Sequence, residues 1–248
     1  MSPLDAVLIT LAGFAAGTIN TVVGSGSLIT FPTLIALGYP PVLANVSNNI
    51  GLVPGALSGA IGYRREIAGQ GDRLRRLVPA SVVGGVTGAV LLLLLPSAVF
   101  RRVVIVLIAI ALVLVVFQPA ISRRLAQRHG TRHRVTLPLA VLVGLGGVYG
   151  GYFGAAQGIV LIALLGIFLD DHLQRLNGVK NVLAMTVNLV ASAVFILSTE
   201  VDWKIVACIA VGSVVGGQVG ATYGRRLDPR ALRVLIVLVG LTALVQLI

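Results

Sequence analysis

Eight long apolar blocks run through this sequence, and they restrict its fold more than any other feature. Most of them approach the roughly 20 residues that an α-helix needs to cross the hydrocarbon core of a bilayer. They lack the alternating segments of about ten residues that form an outer-membrane β-barrel. The sequence therefore predicts an all-α, polytopic helical membrane protein. The blocks cover residues 4–37, 42–63, 77–95, 103–119, 136–169, 177–198, 204–223 and 231–248.

Composition and charge agree with a membrane environment. Hydrophobic residues make up 57% of the chain and charged residues only 11%, whereas soluble domains carry about a quarter charged residues. The formal net charge of +11 could indicate nucleic acid binding, but the Lys and Arg residues lie in short loops between the apolar blocks. That distribution is the one that orients a membrane protein. We therefore expect a multi-pass protein of the cytoplasmic membrane, with the lipid bilayer and no nucleic acid as partner.

The blocks follow one another in the order long, short, short, short, and this order occurs twice. Residue matches between the halves fall at an offset of 132, which becomes 130 within the long blocks. We predict two homologous repeats, 1–122 and 123–248, each with a broken long element and three spanning helices; chance alignment of glycine-rich helices is the alternative. The matches are Asn45 with Asn177, Asn49 with Asn181, Gly84 with Gly216, Gly85 with Gly217, Gly88 with Gly220, Arg101 with Arg233, Gly17 with Gly147 and Gly24 with Gly154.

Loop charge favours opposite orientations for the two repeats. If each long block crosses the membrane once, the basic residues divide almost evenly between the two sides. If each block enters and leaves on one side, as a re-entrant hairpin or a pair of spans, sixteen of the 19 Lys and Arg residues share a side. The positive-inside rule assigns that side to the cytoplasm. The repeats are then inverted, which is the architecture of alternating-access transporters whose broken helices meet near the midplane.

Small residues interrupt both long blocks. The first contains Gly24-Ser25-Gly26-Ser27, and the second contains Gly154 and Gly158. Flexible residues and competing hydroxyl groups at these positions predict a break in each helix. A broken backbone within a bilayer is tolerated only where protein or a water-filled cavity covers its N–H and C=O groups. The breaks are therefore the first candidates for a binding site.

The residues at and after these breaks resemble the duplicated signature of the sulfite exporter TauE/SafE family. The resemblance covers nearly the whole chain and implies a membrane transporter, with members associated with export or uptake of sulfite, sulfonates and related sulfur-containing anions. The sequence departs from a fuller glycine run at Gly26-Ser27-Leu28 and at Ala156-Gln157-Gly158. The matching residues are Gly17, Gly24 to Ser27, Pro32, Ala44-Asn45, Asn48-Asn49, Gly147, Gly151, Gly154, Gly158 and Asn177-Gly178-Val179-Lys180-Asn181.

We expect a small anionic substrate to bind where the two breaks meet. Helix N-termini at the breaks would present partial positive charge to an anion. Asn residues spaced i, i+4 after each break share one helical face, and we hypothesise that Lys180 supplies a full positive charge. The candidate substrate-binding residues are Gly24, Ser25, Gly26, Ser27, Asn45, Asn48, Asn49, Gly154, Gln157, Gly158, Asn177, Lys180 and Asn181.

Structural roles are the alternatives for these residues. The Asn pairs could cap helices or join neighbouring helices by hydrogen bonds. Lys180 could extend its side chain to the cytoplasmic surface. The eight acidic residues fall in loops or at block ends, so the pattern leaves proton coupling, sodium coupling and channel-like flux open. The sequence also leaves the oligomeric state open, and a homo-oligomer is one alternative.

Enzymatic function is not expected. The G-x-S-x-G order of a serine nucleophile turn is absent, and no His falls within an apolar block. Nucleotide-binding motifs are absent at the breaks, and Cys208 as the single cysteine excludes a cysteine-based metal site. We therefore expect no cofactor and no metal. A non-transporting membrane assembly partner and a transporter of an unrelated small anion are the remaining alternatives.

Overall fold

The computed structural model describes residues 1–126, 134–224 and 229–247, and within these ranges the chain forms helices and turns but no strand. Arg128, Arg132, Arg225 and Arg226, which contributed to the predicted sidedness, lie outside the described residues. The helices are α1 (Pro3–Val22), α2 (Ser27–Ala36), α3 (Pro41–Gly62), α4 (Arg64–Ile67), α5 (Gly71–Leu94), α6 (Ser97–Ala126), α7 (Leu137–Tyr152), α8 (Gln157–Phe168), α9 (Leu173–Ser198), α10 (Trp203–Tyr223) and α11 (Pro229–Leu247).

Six of the described helices are long and apolar enough to cross a membrane, namely α1, α5, α6, α9, α10 and α11. The other apolar helices of the broken elements are shorter, with 10 residues in α2, 16 in α7 and 12 in α8. At 1.5 Å per residue these span only about 15–24 Å. The prediction of an all-α, polytopic helical membrane protein is confirmed.

Local sequence signals set several helix starts. The Ser2 side chain accepts from the Asp5 N–H, and the Asp5 carboxylate accepts from the Ser2 N–H, which is a capping box at the start of α1. Pro41 is the first residue of α3, where its missing N–H has no helical partner to lose. Asp202 accepts from two N–H groups in the first turn of α10.

Two predicted blocks, 77–95 and 103–119, are shorter than the helices that contain them. α5 begins at Gly71, and α6 extends from Ser97 to Ala126. Arginine-rich segments can continue a helix beyond its apolar part, because the side-chain stems lie along apolar surface while the guanidinium groups reach water. Hydropathy therefore marks the apolar part of each helix rather than its ends.

Each long apolar block consists of two helices joined by a four-residue turn. At the first break, the N–H groups of Val23 and Gly24 both donate to the Ile19 carbonyl, at 2.7 and 3.0 Å. At the second break the equivalent pair of bonds ends on the Tyr149 carbonyl, at 3.0 Å each. Gly24 has a φ of +86° and Gly154 a φ of +74°, which glycine adopts without the clash that a Cβ would cause. The predicted breaks are confirmed, and both end their first helix in the same way.

The chain folds back at both breaks. Gly26 packs against the Ala16 carbonyl so closely that a Cβ would clash. Gln157 Nε2 donates to the Gly146 carbonyl at 3.4 Å. Residues ten or eleven apart in a continuous helix would be about 15 Å apart. Each long block is therefore a helical hairpin.

The positions and partners of the helices recur in the second half. The starts of α9, α10 and α11 follow those of α3, α5 and α6 by 132 residues, and α8 follows α2 by 130. α1 packs against α10, as α7 packs against α5; α3 packs against α10, as α9 packs against α5. The offsets of 132 and 130 between helix starts are the same as the offsets between the matching residues. The division into repeats 1–122 and 123–248 stays a prediction, which this arrangement supports.

Small residues allow the closest of these helix contacts. Gly212 and Gly216 on α10 meet the backbone of Thr10 and Phe14 on α1, with no room for a Cβ. Thr18 Oγ1 donates across the same contact to the Gly216 carbonyl at 3.0 Å. Without a hydrophobic driving force between helices in lipid, such close approach and hydrogen bonding hold a bundle together.

The residues that line two cavities, one at each end of α6, show which helix ends lie on the same side of the bundle. Arg101 lines one cavity with Pro40 and Pro41, whereas Gln118 lines another with Leu173. The part of α6 between Arg101 and Gln118 spans about 25 Å, so the two cavities lie at opposite ends of the bundle. We call the end at which α3, α6 and α10 finish and α9 begins the arginine-rich end. Its arginines include Arg64, Arg65, Arg73, Arg123, Arg175, Arg230 and Arg233.

Candidate functional site

The two breaks contact each other directly. The Gly158 N–H, in the first turn of α8, donates to the Gly24 carbonyl at 2.9 Å. Gly24 and Gly158 approach so closely that a Cβ on either would clash with the other's backbone. Beside this contact the rings of Phe31 and Phe153 pack edge to face, with centroids 5.1 Å apart. The start of α8 therefore lies against the first break.

Lys180 and Asn181 on α9 cap the end of α1. Lys180 Nζ donates to the carbonyls of Asn20 and Thr21, each at 3.3 Å. Asn181 Nδ2 donates to the Thr21 carbonyl at 3.4 Å. These carbonyls are among the last four of α1, which have no partner within the helix and carry partial negative charge. Lys180 is 1% exposed, so the alternative that it extends to the surface is wrong.

Asn45 on α3 caps the end of α7. Its Nδ2 donates at 3.0 Å to the carbonyl of Tyr152, the last residue of that helix. Each hairpin's first helix thus ends on a polar side chain from the other half of the chain. Helix α9 caps α1, and α3 caps α7.

Asn48 forms hydrogen bonds with two side chains at the start of α2. Its Nδ2 donates to Ser27 Oγ at 3.2 Å, and its Oδ1 accepts from Thr30 Oγ1. Ser27 and Thr30 are both in the first turn of α2, and Thr30 is fully buried. Thr30 was missed by the sequence analysis. Its spacing of three residues from Ser27, which places both on one helix face, is the signal that could have found it.

The remaining Asn candidates join helices of different halves. Asn49 Oδ1 accepts from Ser192 Oγ at 3.0 Å, which joins α3 to α9. Asn177 Nδ2 donates to Tyr63 Oη at 3.3 Å, which joins α9 to the end of α3. The sequence analysis did not identify Ser192 or Tyr63.

Two polar side chains at the second break, Tyr149 and Gln157, bond within their own hairpin. Tyr152 Oη, at the same break, is buried and has no partner among the described residues. Besides the bond from Gln157 to the Gly146 carbonyl, Tyr149 Oη donates to the Ala155 carbonyl. Ala156 has a φ of +59°, in the left-handed region that disfavours residues with a Cβ. Gln157 is buried and packs against Gly150. The second turn is thus held by side chains of α7 and α8.

Ser25 differs from the other candidate side chains. Its Oγ is buried, at 1% exposure for the residue, and has no hydrogen-bond partner among the described residues. It lies in the turn between α1 and α2, four residues after Thr21, whose carbonyl Lys180 caps. Buried hydroxyl groups are nearly always hydrogen-bonded, and among the described residues the buried hydroxyls of Ser47, Ser81 and Tyr152 also have no partner.

A small cavity borders the first break at the arginine-rich end. It has a volume of about 210 Å³ and is lined by Val22, Val23, Tyr63, Asn177 and other residues. Pockets for drug-sized ligands measure about 300–1,000 Å³, so this one suits a smaller solute. A second cavity of about 690 Å³ shares Val22 and Val23 with it and adds arginines of α6 and α11. The two cavities therefore lie side by side at the first break.

An ion-pair cluster joins the two halves at the same end. Arg73 at the start of α5 contacts the Asp171 carboxylate at 2.5 Å, and Arg175 contacts it at 3.2 Å. Gln70 Nε2 donates to the Arg175 carbonyl at 2.9 Å. Burial opposes ionisation of Asp171, but hydrogen bonds from Arg73, the His172 N–H and Arg175 outweigh it and lower its pKa. Among the described residues, no group of three His, Cys, Asp or Glu could hold a metal ion.

Three curated relatives are similar to this chain over most of their length. A probable membrane transporter protein of Haemophilus influenzae is 27% identical over 210 residues, 84% of this chain and 81% of that protein. The probable membrane transporter protein YfcA of Escherichia coli K12 is 26% identical over 241 residues, 96% of this chain and 88% of that protein. The probable membrane transporter protein ORF9 of a Sinorhizobium species is 29% identical over 248 residues, 96% of this chain and 90% of that protein.

No solved structure matches the chain. Residues 9–247 match the family described as Sulfite exporter TauE/SafE, which covers almost the entire sequence, including both hairpins and the helices that cap them. The chain therefore belongs to the sulfite exporter TauE/SafE family.

Proposed function

We propose that this membrane transporter moves a small sulfur-containing anion, such as sulfite or a sulfonate, across the cytoplasmic membrane, and that the anion binds at the first break. The observation that carries the proposal is the environment of Lys180. Its ammonium group is buried and, among the described residues, has carbonyl oxygens but no carboxylate as partners. A buried charge without a counter-ion is costly, and an anionic substrate would supply the counter-ion.

Groups around the first break suit an oxyanion. Ser25 Oγ has an unused donor and lies two residues before the start of α2. The N–H groups of Leu28 and Ile29 in the first turn of α2 donate to the Ser25 and Gly26 carbonyls, at 3.1 and 2.9 Å. Positive partial charge at a helix N-terminus favours an anion at the same point. The neighbouring cavity has a volume of about 210 Å³, which accommodates a small anion with some water. The site would thus consist of Lys180, Ser25, the start of α2 and Asn177.

Alternating access between two inverted repeats is part of the proposal. It is supported by the recurrence of helix starts at 132 residues and by the exchange of packing partners between halves. The mutual capping of α1 by α9 and of α7 by α3 also supports it, because a movement of one half against the other would change both contacts together. Broken helices at a repeat interface are the usual location of a transporter's site.

Transport without catalysis is proposed for the same site. A serine nucleophile needs a base within hydrogen-bond reach, and Ser25 Oγ has no hydrogen-bond partner among the described residues. The unpaired hydroxyl is therefore interpreted as a ligand for the anion.

Flux into proteoliposomes tests the proposal. Purified protein is reconstituted, and uptake of sulfite, thiosulfate, sulfoacetate, taurine and sulfate is measured over a range of concentrations. We expect saturable flux of at least one sulfur oxyanion, with little flux of zwitterionic taurine. Ser25→Ala should reduce this flux, whereas the exposed control Arg64→Gln should not. Absence of flux for every anion, in protein that remains folded, would contradict the proposed function.

A further inference from the structure

An apolar groove between α6 and α11 lies on the outside of the bundle. It has a volume of about 500 Å³ and is lined by Val116 of α6 and by Val234, Val237 and Leu238 of α11. Three of these side chains are more than half exposed, with Val116 at 55% and Val234 and Leu238 at 58%. Because α6 and α11 are spanning helices, this surface faces lipid rather than water. A hydrocarbon chain is the ligand that such a groove suits.

Arginine side chains close one end of the groove. Arg230 and Arg233 line it, and their spacing of three residues places them on one face of α11. Both also line the adjoining cavity of about 690 Å³, together with Arg123, Gln118 and Ser122 from α6. Three arginines from two helices therefore line one cavity.

We propose that this groove and cavity bind one anionic phospholipid, with an acyl chain in the groove and the headgroup phosphate at Arg123, Arg230 and Arg233. Guanidinium groups bind phosphate oxygens in a planar, bidentate geometry. Basic pockets between spanning helices are suited to anionic headgroups. A soluble oxyanion would use the arginines but leave the groove unused, whereas a phospholipid matches both parts. The headgroup cavity adjoins the cavity of the proposed substrate site, with which it shares Val22 and Val23, but the apolar groove and the three arginines do not line that substrate cavity.

Lipid binding to the purified, full-length protein tests the proposal. Native mass spectrometry and thermal unfolding in detergent are measured with phosphatidylglycerol and, for comparison, with phosphatidylcholine. We expect one retained phosphatidylglycerol per chain and a higher Tm with phosphatidylglycerol alone. High salt should reduce the Tm increase, because it screens charges near the surface. Equal effects of the two lipids would overturn the proposal.

Matched variants locate the site. Arg230→Gln with Arg233→Gln should weaken phosphatidylglycerol binding about tenfold or more, whereas Arg64→Gln with Arg65→Gln, an equal charge change at exposed positions, should leave it intact. Leu238→Trp keeps every charge and should also weaken binding, because the larger ring fills the groove. Unchanged binding in Leu238→Trp would overturn the lipid assignment.

Inorganic phosphate separates the two possible sources of the anion. If millimolar phosphate, without lipid, raises the Tm as much as phosphatidylglycerol does and the Arg230→Gln, Arg233→Gln variant abolishes both effects, the site binds a free anion and the lipid proposal is wrong. We expect phosphate to have little effect, since it gains nothing from the apolar groove.

Discussion

The two breaks share one backbone geometry but differ in the side chains around it. Both first helices end with paired bonds to one carbonyl and a glycine at positive φ. At the first break, Lys180 caps the end of α1, the Ser25 hydroxyl has no partner among the described residues, and a cavity borders the turn. At the second break, the neutral Asn45 caps α7, Phe153 packs against Phe31 and Phe100, and Tyr149 bonds within the hairpin, while Tyr152 Oη is buried without a partner among the described residues. A repeated backbone thus carries two environments, and among the described residues only the first break has a buried positive charge beside it.

One position accounts for much of this difference. At the offset of 132, Lys180 occupies the place of Asn48. Asn48 bonds Ser27 and Thr30 at the start of α2 within its own half. Lys180 instead reaches the end of α1 in the other half. The substitution of an amide by an ammonium group thus places a positive charge beside the first break.

Lys180→Met should have the largest effect. Methionine retains an unbranched apolar chain but removes the charge that the substrate would neutralise, so we expect anion flux to fall about a hundredfold or more. The matched variant Asn48→Met removes a neutral side chain at the equivalent position, and we expect a smaller loss of flux. Flux in proteoliposomes is compared at equal amounts of folded protein. Equal losses in the two variants would contradict the assigned difference between the breaks.

The asparagines that cap the ends of α1 and α7 provide the next comparison. Asn181→Leu and Asn45→Leu each remove a side-chain donor to a helix-end carbonyl, and each should lower stability by about 1–3 kcal/mol. Asn181→Leu should also raise the KM for transport, because it lies beside Lys180 at the first break. Asn45→Leu should lower the Tm with little change in KM. Tm and KM are measured for each variant. An increase in KM in Asn45→Leu alone would contradict the assignment of the substrate site to the first break.

Much of the fold was predictable from the sequence, because glycine and serine interrupt otherwise apolar blocks at Gly24 and Gly154. The Asn positions were also found, since their i, i+4 spacing is a local signal. The partners of these side chains were not predictable. The bonds from Lys180 to α1 and from Asn45 to α7 join residues 160 and 107 positions apart. Burial of Lys180 rather than extension to the surface depends on that same packing, which no local pattern encodes.

Ser25→Ala should have a moderate effect on transport and little effect on stability. The hydroxyl has no partner among the described residues, so its removal breaks no internal hydrogen bond. If it donates to the anion, the KM should rise about tenfold, as expected for one hydrogen bond to a charged group. Ser27→Ala is the control, because Ser27 Oγ already accepts from Asn48 and its loss should lower the Tm instead. An unchanged KM in Ser25→Ala would remove the hydroxyl from the site.

The smallest effect is expected at Ala156, which occupies the position of Gly26 at the offset of 130. Its φ of +59° is strained for a residue with a Cβ, so Ala156→Gly relieves about 1–2 kcal/mol. The lost methyl contact and the extra freedom of glycine in the unfolded chain offset about the same amount. We therefore expect a Tm close to that of the unaltered protein. Gly26→Ala should lower the Tm clearly, because its Cβ would meet the Ala16 carbonyl. Similar shifts in the two variants would mean that the turns tolerate a methyl group equally, which their different φ angles and contacts argue against.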